Sequence, residues 1–158
     1  MADSYDELLP VLKKATIFAG LDEGGLRMIV NRCEVISARA GEVIIAERTP
    51  ATEIFVVLSG SVKITLDQQN NPLEICTYGV GDCIGEASVI GVSHHSASAV
   101  VVEDATFLIL SRKVLMELFE QDKAFFAFLI LNIARELARR LRRTDEMLMD
   151  LVKRQRNS

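Results

Sequence analysis

From Lys123 to about Arg154 the sequence contains neither proline nor glycine, so one helix of roughly 30 residues can run there unbroken. At 1.5 Å per residue it spans about 45 Å and projects beyond a small body. Its outer half therefore needs a partner surface. A heptad register offers one, with Ile130, Leu137, Thr144 and Leu151 at d and Ala134, Leu141, Leu148 and Gln155 at a. Two such seams bury one another in a parallel pair, and Arg140 at g then faces Asp145 at e of the second chain, an ion pair of small energy. The competing arrangement lays the same face on the chain's own body. Seam positions continue past the length one small body covers, which favours a homodimer through residues 123–154.

The body has a different texture. From Glu34 to Leu110, β-branched runs (EVIIAE, EIFVVLSGSVKITL, PLEICTYG, ASAVVVED, ATFLIL) are punctuated by Gly, Asn and Asp. Short, closely spaced strands of this kind suit a sandwich or a roll closed on itself. The clearest turn is Asp67 to Pro72, an exposed hairpin tip. Before the strands, Asp3 to about Lys14 and Leu21 to about Cys33 carry three-and-four apolar spacing, interrupted at Gly24-Gly25. After them the pattern reverts to helix, with Ser111 placed to cap RKVLMELFEQ and Asp122 to cap the long helix. The expected organisation is a single domain over 1–158, mainly β with flanking helices: N-terminal helices over 1–33, a β-roll over 34–110 and C-terminal helices over 111–158.

Composition narrows the classes. With 158 residues and 49% hydrophobic content, the chain can bury a full core as one domain. Its apolar stretches are too short and too interrupted to span a bilayer, and the acidic start MADSYDELLP does not resemble a secretory signal. A soluble, cytoplasmic protein without membrane association is expected. Cys33, Cys76 and Cys83 are an odd, scattered set that reads as reduced thiols. The net charge of −4 divides into +4 from Arg135 onward and −8 before it, so a basic tail is attached to an acidic body. That tail reads as a solvated helix face, with contact to nucleic acid or an acidic partner as the alternative.

The ordered segments ARAGEVIIAE, EIFVVLSGSVKI and GVGDCIGEASVI together resemble the cyclic-nucleotide-binding domain family over roughly residues 12 to 152. FAGLDEGGL resembles the helix that opens that fold, and ELARRLRRTDE the long helix of its transcription activators. The resemblance implies a double-stranded β-helix, or jelly-roll, holding a phosphate-binding cassette, here residues 85–97. Gly85 allows close approach of the ligand, Glu86 accepts a ribose hydroxyl, and Ala87 stands with them among the ligand-binding residues. Counted forward, the family's cassette arginine falls on His95, its hydroxyl residue on Ser96 and the following small residue on Ala97. The arginine is missing, and a histidine of ordinary pKa, about 6.5, is mostly neutral at pH 7. Between Thr49 and Ser111 the only cation is Lys63 against seven acids, so no neighbour in that stretch replaces it. Losing the charge-assisted contact lowers phosphate affinity roughly ten- to a hundredfold. Thr144 and Asp145 fall where the family's activators place hydroxyl residues that meet the purine base. Thr144 fits either base contact or a polar seam position.

Other chemistry finds little support. His94 and His95 have no third ligand at a metal-binding spacing, so no metal and no cofactor beyond a cyclic nucleotide ligand is implied. Protonation of these histidines near pH 6 would restore the missing charge over a pocket. No catalytic triad, P-loop or paired carboxylates appear, so an enzyme is not expected. In the family's transcription regulators a helix-turn-helix domain follows the long helix, whereas this sequence ends at Ser158. Sequence-specific DNA binding by this chain alone is therefore not expected. The first reading is a dimeric sensor of a cyclic nucleotide (cAMP or cGMP) or related anion that signals through its long helix to a separate, unidentified protein effector. The alternative is a degenerate fold kept as a dimerisation or interaction module.

Overall fold

The computed structural model describes residues 5–158. Two antiparallel strands of 14 residues, β3 Glu53–Leu66 and β6 Ser98–Ser111, form its spine. Around them the six-stranded sheet runs β1 (Glu34–Ala38), β6, β3, β4 (Leu73–Tyr78), with β2 (Val43–Ile45) on β6 and β5 (Cys83–Ile84) on β3. Alternation along the two long strands feeds two cores. Ile54, Val56, Leu58, Leu108 and Leu110 face the helices, whereas Phe55, Val57, Phe107 and Ile109 point into the roll. Both faces are thus buried, which is why EIFVVL and TFLIL read as continuous apolar runs. The expected β-roll with flanking helices is the observed architecture.

Boundaries differ from expectation in instructive places. ASAVVVED and ATFLIL, read as separate strands, are one strand, β6, because Glu103 and Asp104 are exposed where its pairing with β3 shifts register. The Asp104 carboxylate is used there, accepting from the Ala40 backbone N–H at 2.8 Å. Strands β1 and β5 were not among the named runs, and β5 is only two residues long. Helix α1 is Tyr5–Leu12 and α2 is Glu23–Val30; the expected start of the first helix at Asp3 lies outside the described residues. Gly24-Gly25 occupy the first turn of α2, with Asp22 accepting from Gly25 N–H at 2.8 Å, so they do not break it.

Both expected C-terminal caps are present. Ser111 accepts from Val114 N–H at 3.2 Å to open α4 (Arg112–Gln121), and Asp122 accepts from Phe125 N–H at 3.0 Å to open α5 (Lys123–Arg156). A short α3, Glu86–Ile90, lies between β5 and β6. Leu129 and Ile133 anchor α5 to the helix-side core. Between them, buried Asn132 donates to the carbonyls of Ile17 and Ala19, at 3.2 and 2.8 Å. Asn132 therefore fixes the rotation of α5 about its axis, and so which residues of the next two turns face the roll. Asn132→Leu, which keeps the volume and removes the donor, should lower stability by about 1–3 kcal/mol in urea unfolding.

Candidate functional site

Strand β5 ends at Ile84, and the backbone turns at Gly85 before α3 begins. Gly85 has φ +87°, and a Cβ there would lie 2.8 Å from the Glu53 carbonyl oxygen, so this turn requires glycine. The turn delivers Glu86 inward, where it is only 3% exposed. After α3 the chain passes through Val92, a β-branched residue at φ +50°, and returns with His94 bridged to Pro50. His94 faces out and His95 faces in, the latter 9% exposed. Its backbone is clamped, donating to the Thr49 carbonyl at 2.9 Å and accepting from Arg48 N–H at 2.8 Å.

A cavity of about 200 Å³ opens between the cassette, the sheet and α5. Gly85, Glu86, Ala87, His95, Ser96 and Ala97 line it, which brings six of the eight expected site residues together. Isoleucines 45, 64, 75 and 84 supply the apolar wall, with Tyr78 beside them. Thr144 and Asp145 do not line it. Both are exposed on α5, and the Thr144 hydroxyl donates to the Arg140 carbonyl one turn back, at 3.0 Å.

The residue that sequence reasoning misplaced is Arg140. Assigned to a helix-pair seam opposite Asp145, it is instead turned into its own protomer and lines the cavity. Its guanidinium pairs with the Glu86 carboxylate, donates to the Cys83 carbonyl at 2.6 Å and to Glu136 at 3.0 Å, and stacks 4.3 Å from the centre of the Tyr78 ring. A guanidinium therefore does stand in the pocket wall, although the cassette arginine's own position holds His95. The composition of residues 49–111 does not contain that guanidinium, because it arrives from 54 residues beyond Glu86. The visible signal was the i,i+4 pair Glu136–Arg140 at the last turn of α5 that touches the body.

Burial sets the protonation states. It pushes the Glu86 carboxyl above the ordinary carboxylate range, with Arg140 opposing. Burial works against charge on Arg140 too, but Glu86, Cys83, Tyr78 and Glu136 together outweigh it and the guanidinium stays firmly protonated. For Glu136, burial is overcome by the Arg139 hydrogen bond and the charge of Arg140, so it titrates below the usual range. Burial lowers the His95 pKa, which works against charging the ring near pH 6. The imidazole is neutral at pH 7, and its Cε1 lies 3.4 Å from where a Cβ on Gly85 would stand. Among the described residues no cluster of three metal-ligating side chains exists, and no helix is long and apolar enough to cross a membrane.

The long helix leaves its body after Arg140. Ile130 and Leu137, expected at d of an intermolecular seam, pack against the helix-side core, because Leu129 and Ile133 roll that side of α5 inward. Leu131, Leu141, Leu148, Leu151 and Val152 remain exposed, and every residue from Leu141 onward is exposed.

The family model described as cyclic nucleotide-binding domain matches residues 35–122. A CRP-like cAMP-activated global transcriptional regulator of Mycobacterium tuberculosis is 28% identical over 145 residues, covering 90% of this chain and 62% of the regulator. The chain thus spans under two thirds of the length of the curated relative it matches. Among solved structures, a cyclic nucleotide-binding domain from Methylobacillus flagellatus superposes with TM-score 0.81 at 23% identity, covering 92% of this chain and 82% of that one. The Thermus thermophilus catabolite activator protein gives TM-score 0.75 at 27% identity, covering 87% and 63%.

Removing Arg140 leaves Glu86 buried beside Glu136 without its counter-charge. Arg140→Met should therefore lose about 3–5 kcal/mol of unfolding free energy near pH 7.5. Protonating Glu86 removes the unpaired charge, and its folded pKa lies above its unfolded one, so the loss should shrink as pH falls toward 5. Urea titrations at both pH values measure the difference.

Proposed function

We propose that this chain, which belongs to the cyclic nucleotide-binding domain family, is a regulatory domain that senses a small ribose-bearing ligand and passes occupancy to its long helix. The observation that carries this reading is the Arg140–Glu86 pair. The Glu86 carboxylate, the group suited to accept ribose hydroxyls, is held by a guanidinium on α5. A ligand that engages Glu86 competes with or reorganises that contact. Its differential affinity for the two arrangements of Arg140 then biases the position of α5.

The outer α5 is where the signal is read. Its exposed Leu141, Leu148, Leu151 and Val152 favour pairing with a second copy, and the surrounding arginines and lysines offer charge to an acidic effector. Dimerisation relies here on residues beyond the body, since Ile130 and Leu137 are already engaged. The chain has no catalytic constellation in its pocket and works as a non-enzymatic control element. The second reading, a fold kept only as an interaction module, draws on the missing cassette arginine at His95.

Calorimetric titration with cAMP and cGMP separates the readings. The sensor reading expects weak but saturable binding that Glu86→Ala abolishes, with affinity rising roughly ten- to a hundredfold in His95→Arg as a fork of donors meets the phosphate. Absence of binding in both the wild-type and His95→Arg proteins would leave the interaction-module reading.

A further inference from the structure

The pocket's wall presents one guanidinium, one carboxylate and one imidazole. Each is committed. Arg140 is shared among Glu86, Glu136, the Cys83 carbonyl and the Tyr78 face, and Arg139 answers the remaining charge of Glu136 at 2.7 Å. Two carboxylates and two guanidiniums thus cancel one another within a single cluster. No cation in the wall is left over for an anion. His95 stands at the position the cassette gives to a phosphate-binding arginine, and its imidazole is packed toward Gly85. What remains is an apolar wall of isoleucines, the neutral His95, the Ser96 hydroxyl, and acceptor capacity at Oε2 of Glu86.

From this inventory we infer that the ligand recognised by the Gly85–Ala97 pocket is an uncharged nucleoside, in preference to the corresponding cyclic phosphate. A nucleoside matches each feature. Its ribose hydroxyls are donors for Glu86, and its base is a flat, largely apolar face for the isoleucine wall. A cavity of about 200 Å³ is also small beside the roughly 300–1,000 Å³ of drug-sized sites. A cyclic phosphate at the same site brings one negative charge to a place where the only guanidinium is engaged with two carboxylates. It must either break the Arg140–Glu86 pair or stay uncompensated, and either route lowers its affinity. The inference rests on the reading of this pocket as a ligand-sensing site and specifies the charge class of what it senses.

Calorimetry on the full 158-residue chain tests it, with adenosine and guanosine each set against its 3′,5′-cyclic monophosphate. The expected result is that at least one nucleoside binds about tenfold or more tighter than its cyclic phosphate. In His95→Arg, which adds an uncommitted cation beside Gly85, the order should reverse. A wild-type protein that prefers a cyclic phosphate overturns the inference while leaving the sensing site intact. A His95→Arg protein that binds and still prefers the nucleoside shows that charge is not the selecting property, and also overturns it. If none of the four compounds binds the wild-type chain, the inference falls, and if none binds His95→Arg either, the sensing reading falls with it.

Discussion

A guanidinium from the long helix, held in the roll by a buried carboxylate, ties the two halves of this molecule together. Arg140 is 19% exposed and Glu86 4% by side chain, so neither charge can rely on water. Burying two ions is expensive, and their attraction offsets that only when further hydrogen bonds satisfy the remaining donors and acceptors. Here the Cys83 carbonyl, Glu136 and the Tyr78 ring complete the shell around Arg140. The same contact fixes the pose of the last turn of α5 that touches the body. It also occupies the carboxylate that a ribose would approach, so helix position and ligand binding draw on one group.

Other parts of the structure serve this contact. Asn132 sets the rotation of α5 two turns earlier, and Leu129 and Ile133 seat the helix on the core. Gly85 allows the turn that aims Glu86 inward, in a conformation and at a proximity to Glu53 that a side chain would not tolerate. Beyond Leu141 the helix has no support from its own body and carries exposed leucines, so its arrangement depends on what it meets.

Much of this was legible in the sequence. β-branched runs punctuated by Gly, Asn and Asp mark the roll, Ser111 and Asp122 mark the helix starts, and Gly85-Glu86 with Ser96 and Ala97 marks the pocket wall. What was not legible depended on rotation and distance. A heptad register over α5 cannot say which residues its own body will claim: Arg140, read as part of an intermolecular pair, turns into its own protomer, and Ile130 and Leu137 pack in part against their own core. Thr144 and Asp145 were placed at the ligand by resemblance, yet lie one turn past the pocket wall within the protomer. The guanidinium in the pocket wall was not legible because local composition omits a residue delivered from another element.

Hydrogen exchange along α5 addresses the coupling between pocket and helix most directly. If the Arg140–Glu86 contact holds the two together, Glu86→Gln should lower the protection of backbone amides from Ile133 to Leu141 while the amides of β3 and β6 keep theirs. Unchanged protection over Ile133 to Leu141 in a folded Glu86→Gln protein would contradict the account.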